Sequence, residues 1–145
     1  MRYVYPVLIA QDEDGEFVAT SRDVAEAVTS GSSEAEALRE IGDALGAALA
    51  GYVQEGRPIP PPSKAENGER LAPVAPLVAA KLALLSAMRE QGVTNAELAR
   101  RLDVSEGAVR RLVNPDHASR LDGVVAALAA LGHSLIIEDQ PQDAA

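Results

Sequence analysis

The chain has 145 residues, 47% of them hydrophobic but only 3% aromatic, and it has no cysteine. That length fits one domain or two small ones, and the missing thiols exclude disulfides and thiolate metal sites. A net charge of −9 excludes a uniformly basic nucleic-acid binder, so the distribution of charge matters more than its sum.

Residues 1–15 hold a short apolar run followed by acids. This is neither a signal peptide nor a membrane span, and a soluble cytoplasmic protein with no membrane partner is expected. Tyr3 to Ala10 is rich in β-formers and reads as a strand. Pro6 cannot donate to a ladder, which places this strand at an edge or bulge. Asp12-Glu13-Asp14-Gly15 is a turn signal, and Glu16 to Ser21 reads as a second, antiparallel strand. Val24 to Thr29 is a weaker third. Ser33 and Glu36 have capping-box spacing ahead of a helix. Leu38, Ile41, Leu45, Ala48, Leu49 and Tyr52 form its apolar stripe, and Gly56 is its stop. The first 60 residues thus make a β-β-β-α unit, with room for one more short strand after it.

Six of the nine prolines fall between Pro58 and Pro76. Such density breaks helices and strands, so residues 61–76 read as an extended linker. A second domain is expected over 77–138, with 139–145 as a C-terminal tail. Its first helix runs from Val78 to Gln91 and stops at Gly92. Its last opens near Ala118 or Ser119, and its apolar residues are Leu121, Val124, Val125, Leu128 and Leu131. Ser134 to Glu138 reads as one isolated strand, which is costly to leave unpaired. Pairing with its copy in a second chain would satisfy it and make a homodimer or higher homo-oligomer. Packing on its own domain would also satisfy it.

Between these helices lies the most informative stretch, Thr94 to Leu112. Thr94 and Glu97 form another capping box, and Ala96, Leu98, Ala99 and Leu102 supply an apolar face with a small residue at the packing point. Asp103-Val104 is a turn, with Val104 expected to plug the space between the helices, and Ser105 caps a second helix that sends Val109 and Leu112 inward. An αα-hairpin has this shape too. The two caps, the small packing residue and the paired arginines favour a helix-turn-helix, whose second helix enters the DNA major groove. The stretch resembles the helix-turn-helix of the phage-repressor (XRE) class. It departs at Asp103, where glycine is frequent; aspartate tolerates the left-handed region better than most residues.

Charge follows the same division. Residues 1–70 carry 6 basic and 13 acidic side chains, whereas 81–120 carry 7 basic and 5 acidic, a net of +2. An acidic first half repels nucleic acid and attracts a basic partner, though acidity also serves plain solubility.

The order of parts resembles the HicB family of type II antitoxins, in the version with a helix-turn-helix tail. The segments that carry the match are Tyr5-Pro6-Val7, the DEDG turn followed by Phe17-Val18, Asp23 through Thr29 and Gly31 to the capped helix, and Glu55 to Pro60. In the second domain they are Leu82 through Gly132. Ala25-Glu26-Ala27 departs from the family's usual proline, glycine and small residue. The resemblance implies an α+β chain: a partial RNase H-like first domain, then an all-α helix-turn-helix domain with a short C-terminal strand. It implies that the first domain neutralises a small basic mRNA-cleaving toxin, HicA. The second would repress the toxin–antitoxin operon at its operator DNA. No cofactor and no enzymatic activity are implied.

RNase H enzymes hold two metal ions with several carboxylates. Here Asp12, Asp14, Glu16, Glu40 and Asp43 are the carboxylates to weigh, but Asp12, Glu13 and Asp14 sit in a predicted hairpin loop, which cannot supply a rigid central-strand carboxylate, so they read as a solvated turn and no metal site is expected. No nucleophile–base pair is visible. For DNA, Ser105, Glu106 and Gly107 open the recognition helix at base edges. The glutamate can accept from cytosine N4, and the glycine permits close approach. Arg110 and Arg111 reach guanine or phosphate one turn on. Thr94 and Asn95 start a helix, a natural phosphate contact. Asn114, His117 and Arg120 are backbone contacts beside it, although His117 also fits as a plain loop residue. Arg100 and Arg101 read equally well as exposed helix charges. The toxin surface is expected at the Tyr3–Ala10 edge and the Asp12–Glu16 turn. Two competing readings stay open: a stand-alone helix-turn-helix regulator whose first domain senses a ligand, and an enzyme retaining RNase H-like activity.

Overall fold

The computed structural model describes residues 1–141. It is mixed α+β, in two compact units, Met1–Ala79 and Ala80–Ala145. The first unit is a four-stranded antiparallel sheet in the order β3-β2-β1-β4 with one helix against it. The strands are β1 (Val4–Gln11), β2 (Phe17–Thr20), β3 (Val28–Gly31) and β4 (Arg70–Pro73). The β1–β2 turn closes because the Asp12 carboxylate accepts from the amides of Asp14 and Glu16, both at 2.9 Å. The acidic turn is thus occupied with its own backbone, a local arrangement typical of aspartate in turns.

Helix α1 (Glu34–Gln54) starts where its caps direct. Ser33 Oγ accepts from the Glu36 amide at 3.1 Å, and the Glu36 carboxylate reaches back to the Ser32 amide at 2.9 Å. Leu38, Ile41, Leu45, Leu49 and Tyr52 are buried at its inner face, against Tyr5, Val7, Ala19 and Ala72 of the sheet. Burial of each large aliphatic is worth about 1.5–3 kcal/mol. The helix lies so near β4 that a Cβ at Gly42 would stand 2.7 Å from the Pro73 carbonyl oxygen. Only a residue without a side chain fits there.

Four expectations are corrected. β1 is interior, not an edge, because β2 pairs with its second half (Leu8–Gln11) and β4 with its first half (Val4–Val7). The Val74 amide donates to the Tyr3 carbonyl at 2.9 Å, so odd-numbered residues of β1 face β4 with their backbone groups. Pro6 therefore turns its missing donor to the side that β2 does not reach, and no ladder bond is lost.

The third strand lies at Val28–Gly31, not Val24–Thr29. Residues 21–27 form turns instead: Ser21 Oγ accepts from the Val24 amide at 3.2 Å, and the Ala27 amide donates to the Val24 carbonyl at 3.0 Å. Glu26, in the segment that departs from the family pattern, accepts from the Tyr52 hydroxyl at 2.5 Å and from Arg57 at 3.2 Å. The Arg57 guanidinium lies 3.7 Å over the Tyr52 ring.

The proline-rich segment is not a free linker. The Tyr5 hydroxyl, its pKa pushed up by burial, donates to the Pro60 carbonyl at 2.9 Å. Asp23 accepts from the Ser63 amide and hydroxyl at 2.8 and 2.7 Å. Arg22 donates to the Lys64 carbonyl at 2.6 Å and to the Glu69 carboxylate at 3.0 Å. Arg70–Pro73 then enters the sheet as β4.

The fourth correction is at the other end. Ser134–Glu138 is not a strand, and Ile136 and Ile137 are 87% and 72% exposed. Within one chain this segment has no ladder to join. Residues 139–141 of the expected tail are described, and the rest of it lies outside the described residues.

Helix α2 (Pro76–Gln91) ends before Gly92, which has φ +65°. The second unit adds α3 (Asn95–Leu102), α4 (Glu106–Val113) and α5 (Leu121–Ala130). Its apolar core includes Leu82, Leu84, Leu98, Val109, Val124 and Leu128. The Gln91 side-chain amide donates to the Leu131 carbonyl at 2.8 Å and satisfies the end of α5. Among the described residues no buried side-chain polar atom lacks a partner.

Candidate nucleic-acid interface

Two short helices and a tight turn form the candidate site. Thr94 caps α3 by accepting from the Glu97 amide at 3.2 Å. The other half of the expected capping box is not made. The Glu97 carboxylate turns instead to Arg100 and to Arg101, the latter at 3.2 Å, and the Arg100 guanidinium holds its pKa below the ordinary range. Both arginines of α3 thus share one carboxylate, which balances one of their two positive charges.

The turn is made by Asp103, at φ +55° and ψ 49°, the only non-glycine with positive φ among the described residues. Its neighbour closes the helix end: the Val104 amide donates to the Ala99 carbonyl at 3.0 Å. Ala99, the small residue expected at the packing point, is buried. Val104, expected to plug the space between the helices, is 43% exposed instead.

Helix α4 starts at Ser105, whose Oγ accepts from the Ala108 amide at 3.1 Å. Val109 is its buried residue, and Glu106, Arg110 and Arg111 are exposed. Glu106 and Arg110 are four residues apart, as are Gly107 and Arg111, so these side chains share neighbouring rows on the outer face. Among the described residues neither Arg110 nor Arg111 has an ion-pair partner. Gly107 is not demanded by the fold. Its φ is not positive, and the nearest atoms to an added Cβ are side-chain atoms of Arg110, Arg111 and Ser105, at 3.6–3.8 Å.

Beyond α4 the expected contacts divide. Asn114 is the C-cap, and its side-chain oxygen accepts from the Asp116 amide at 3.0 Å. Arg120 is exposed, precedes α5, and pairs with Asp122 at 3.4 Å. Thr94 and Asn95 lie at the start of α3, Thr94 exposed and Asn95 half-buried. His117 is exposed, with Nδ1 3.0 Å from Ser119 Oγ. Ser119 does not open α5: the helix begins at Leu121 with Arg120 as its N-cap, and the Ser119 hydroxyl donates to the Arg111 carbonyl at 3.2 Å.

The residue missed from sequence is Lys81. It is wholly buried, and burial lowers the pKa of its ammonium. It donates to the carbonyls of Arg111, Asn114 and His117 at 3.1, 2.8 and 2.5 Å, and to Ser119 Oγ at 2.9 Å. One signal was present: Lys81 is the single charged residue between Arg70 and Arg89.

Among the described residues no group of three or more His, Asp or Glu is placed to hold a metal ion, and no helix is long and apolar enough to cross a membrane.

Residues 4–83 match the model of the HicB-like antitoxins of bacterial toxin–antitoxin systems. Among curated proteins the chain is 38% identical over 131 residues to antitoxin HicB 2 of Photorhabdus laumondii, covering 90% of this chain and 92% of that one. It is 35% identical to antitoxin HicB of Escherichia coli K12, over 90% and 95% of the two chains. It is 34% identical to antitoxin HicB of Pseudomonas fluorescens, over 90% of each.

Proposed function

Because this chain belongs to the HicB-like antitoxin family of bacterial toxin–antitoxin systems, we propose that its two units divide the work, the first neutralising a small basic HicA-type ribonuclease and the second repressing their shared operon. The chain is an antitoxin, not an enzyme. It works in the cytoplasm, where the toxin's mRNA and the operator both are.

The observation that carries the DNA reading is α4. It is capped by Ser105 and presents Glu106, Gly107, Arg110 and Arg111 on one outer surface, with both arginines unpaired among the described residues. On a chain of net charge −9, uncompensated cations on a short exposed helix are the feature that a phosphate backbone selects. Thr94 and Asn95 at the start of α3, with Asn114, His117 and Arg120 after α4, flank that surface as backbone contacts. Homodimers would read two half-sites about 34 Å apart, one turn of DNA.

The toxin reading keeps the region named from sequence and changes its form. β1 offers a face rather than an edge. Cross-strand register puts Leu8, Val18, Thr20 and Val28 on the side of the sheet away from α1, with Leu71 on the same side, and no strand residue there is charged. Leu8, Val28 and Leu71 are exposed. The acidic Asp12–Glu16 turn borders it and complements a basic partner.

The test is a tagged pull-down of the full chain from native cells, with mass spectrometry of what co-purifies at stoichiometry. A basic partner of well under about 100 residues, as expected of a single small domain, confirms an antitoxin–toxin pair. Its absence turns the first unit towards ligand sensing. A duplex from upstream of the chain's own gene, titrated by fluorescence anisotropy, tests the second unit separately.

A further inference from the structure

We infer that Lys81 is the positioning residue of the DNA-contacting surface: an internal cation that fixes the C-terminal end of α4 and the Asn114–Ser119 loop in their binding geometry. The inference rests on the DNA reading of α4.

Lys81 lies on α2 and has no solvent exposure. Its acceptors are three backbone carbonyls and one hydroxyl, with no carboxylate among them. A buried ammonium is costly unless its donors are all used. Here three protons meet four oxygens, so the charge is solvated by main chain drawn from residues 111, 114, 117 and 119. Two of those carbonyls, of Arg111 and Asn114, lie at the C-terminal end of α4, where the helix dipole favours a cation. Loop carbonyls that would otherwise turn to water converge on one point. Every residue proposed to touch DNA beyond Arg110 is on this segment or next to it.

The network also reaches His117: Ser119 Oγ, which accepts from Lys81, lies 3.0 Å from His117 Nδ1, and the His117 carbonyl accepts from Lys81 directly.

The test uses the full chain and the upstream duplex, with each protein's folded fraction measured by denaturation. Lys81→Met, at a temperature where it is fully folded, is expected to bind about tenfold or more weakly, the scale of one or more lost interface contacts. The chain has no cysteine, so Lys81→Cys can be alkylated in denaturant with 2-bromoethylamine and refolded. This returns an ammonium on a chain of nearly lysine length, and both fold and affinity are expected to return. Ser119→Ala keeps three carbonyls on Lys81 and stays folded if Lys81→Met does not. It is expected to weaken binding about threefold, less than a full contact. Wild-type affinity in folded Lys81→Met, or in Ser119→Ala where the first does not fold, overturns the inference while leaving the DNA reading standing. So does an aminoethylated protein that regains stability but not affinity. A wild-type chain that does not bind the duplex overturns the DNA reading and this inference with it.

Discussion

Gly107 separates what the fold needs from what DNA needs. It is the second residue of α4, in ordinary helical backbone. A methyl group there would stand 3.6 Å from Arg110 and 3.7 Å from Arg111, both flexible guanidinium ends, and 3.8 Å from Ser105 Oγ. These are ordinary contacts, so no steric cost opposes the change. Alanine is favoured over glycine in a helix by about 0.8–1 kcal/mol, somewhat less in the first turn. Gly107→Ala is therefore expected to raise stability by about 0.5–1 kcal/mol. If α4 lies in the major groove, the same methyl enters the space that a base edge or phosphate occupies. Affinity for the upstream duplex should then fall by about 1–3 kcal/mol, roughly 5- to 150-fold. The two quantities move in opposite directions. Urea denaturation gives the first, and anisotropy titration at fixed salt gives the second. Gly42→Ala is the control, since its Cβ would stand 2.7 Å from a backbone oxygen and must destabilise the first unit. A less stable Gly107→Ala would refute the steric argument. A more stable protein with unchanged affinity would refute the close approach to DNA.

Arg110→Ala should weaken operator binding by about 1–3 kcal/mol if the arginine reads a base. A purely phosphate role would instead lower affinity equally for all sequences and reduce the salt slope by about 1. Leu8→Glu places a charge on the open sheet face, where Leu8 is already half-exposed. Co-purification with the toxin should be lost while the melting temperature holds, and retained toxin would move the interface elsewhere. Asp103→Gly relieves a left-handed aspartate and should stabilise the second unit by up to about 1 kcal/mol. An unchanged denaturation midpoint would mean that the aspartate is not strained. The Glu26 and Glu69 carboxyls are held below the ordinary range, by the Tyr52 hydroxyl and the Arg22 guanidinium first of all. Their folded pKa values are depressed, so the stability they add is present above the unfolded carboxylate range and lost as pH falls through the folded values. Acid titration of Glu26→Gln and Glu69→Gln should show a shallower loss of stability below about pH 4.5 than the parent chain.

What was readable from sequence was local. Ser33, Thr94 and Ser105 each bond the amide three residues on, so three helix starts were visible in the spacing of side chains. The hairpin at Asp12 was readable for the same reason. The errors came where a segment's partners lie far along the chain. Residues 60–69 carry prolines that forbid regular structure, and from sequence nothing distinguishes a loose linker from a strap. The difference is made by Tyr5, Arg22 and Asp23, whose acceptors and donors lie 40–55 residues away.

Lys81 is the same problem in reverse. Among apolar neighbours a single lysine looks like a charge escaping to solvent, and its four acceptors lie 30–38 residues downstream. The exposed face of α4 was legible because Glu106, Arg110 and Arg111 stand within two turns of one helix. What orients it was not, because that is done by a side chain from another helix, bonded to main-chain carbonyls that are identical in every residue. A backbone acceptor leaves no trace in sequence. The cation that needs it does, as a charge with no local reason to be where it is.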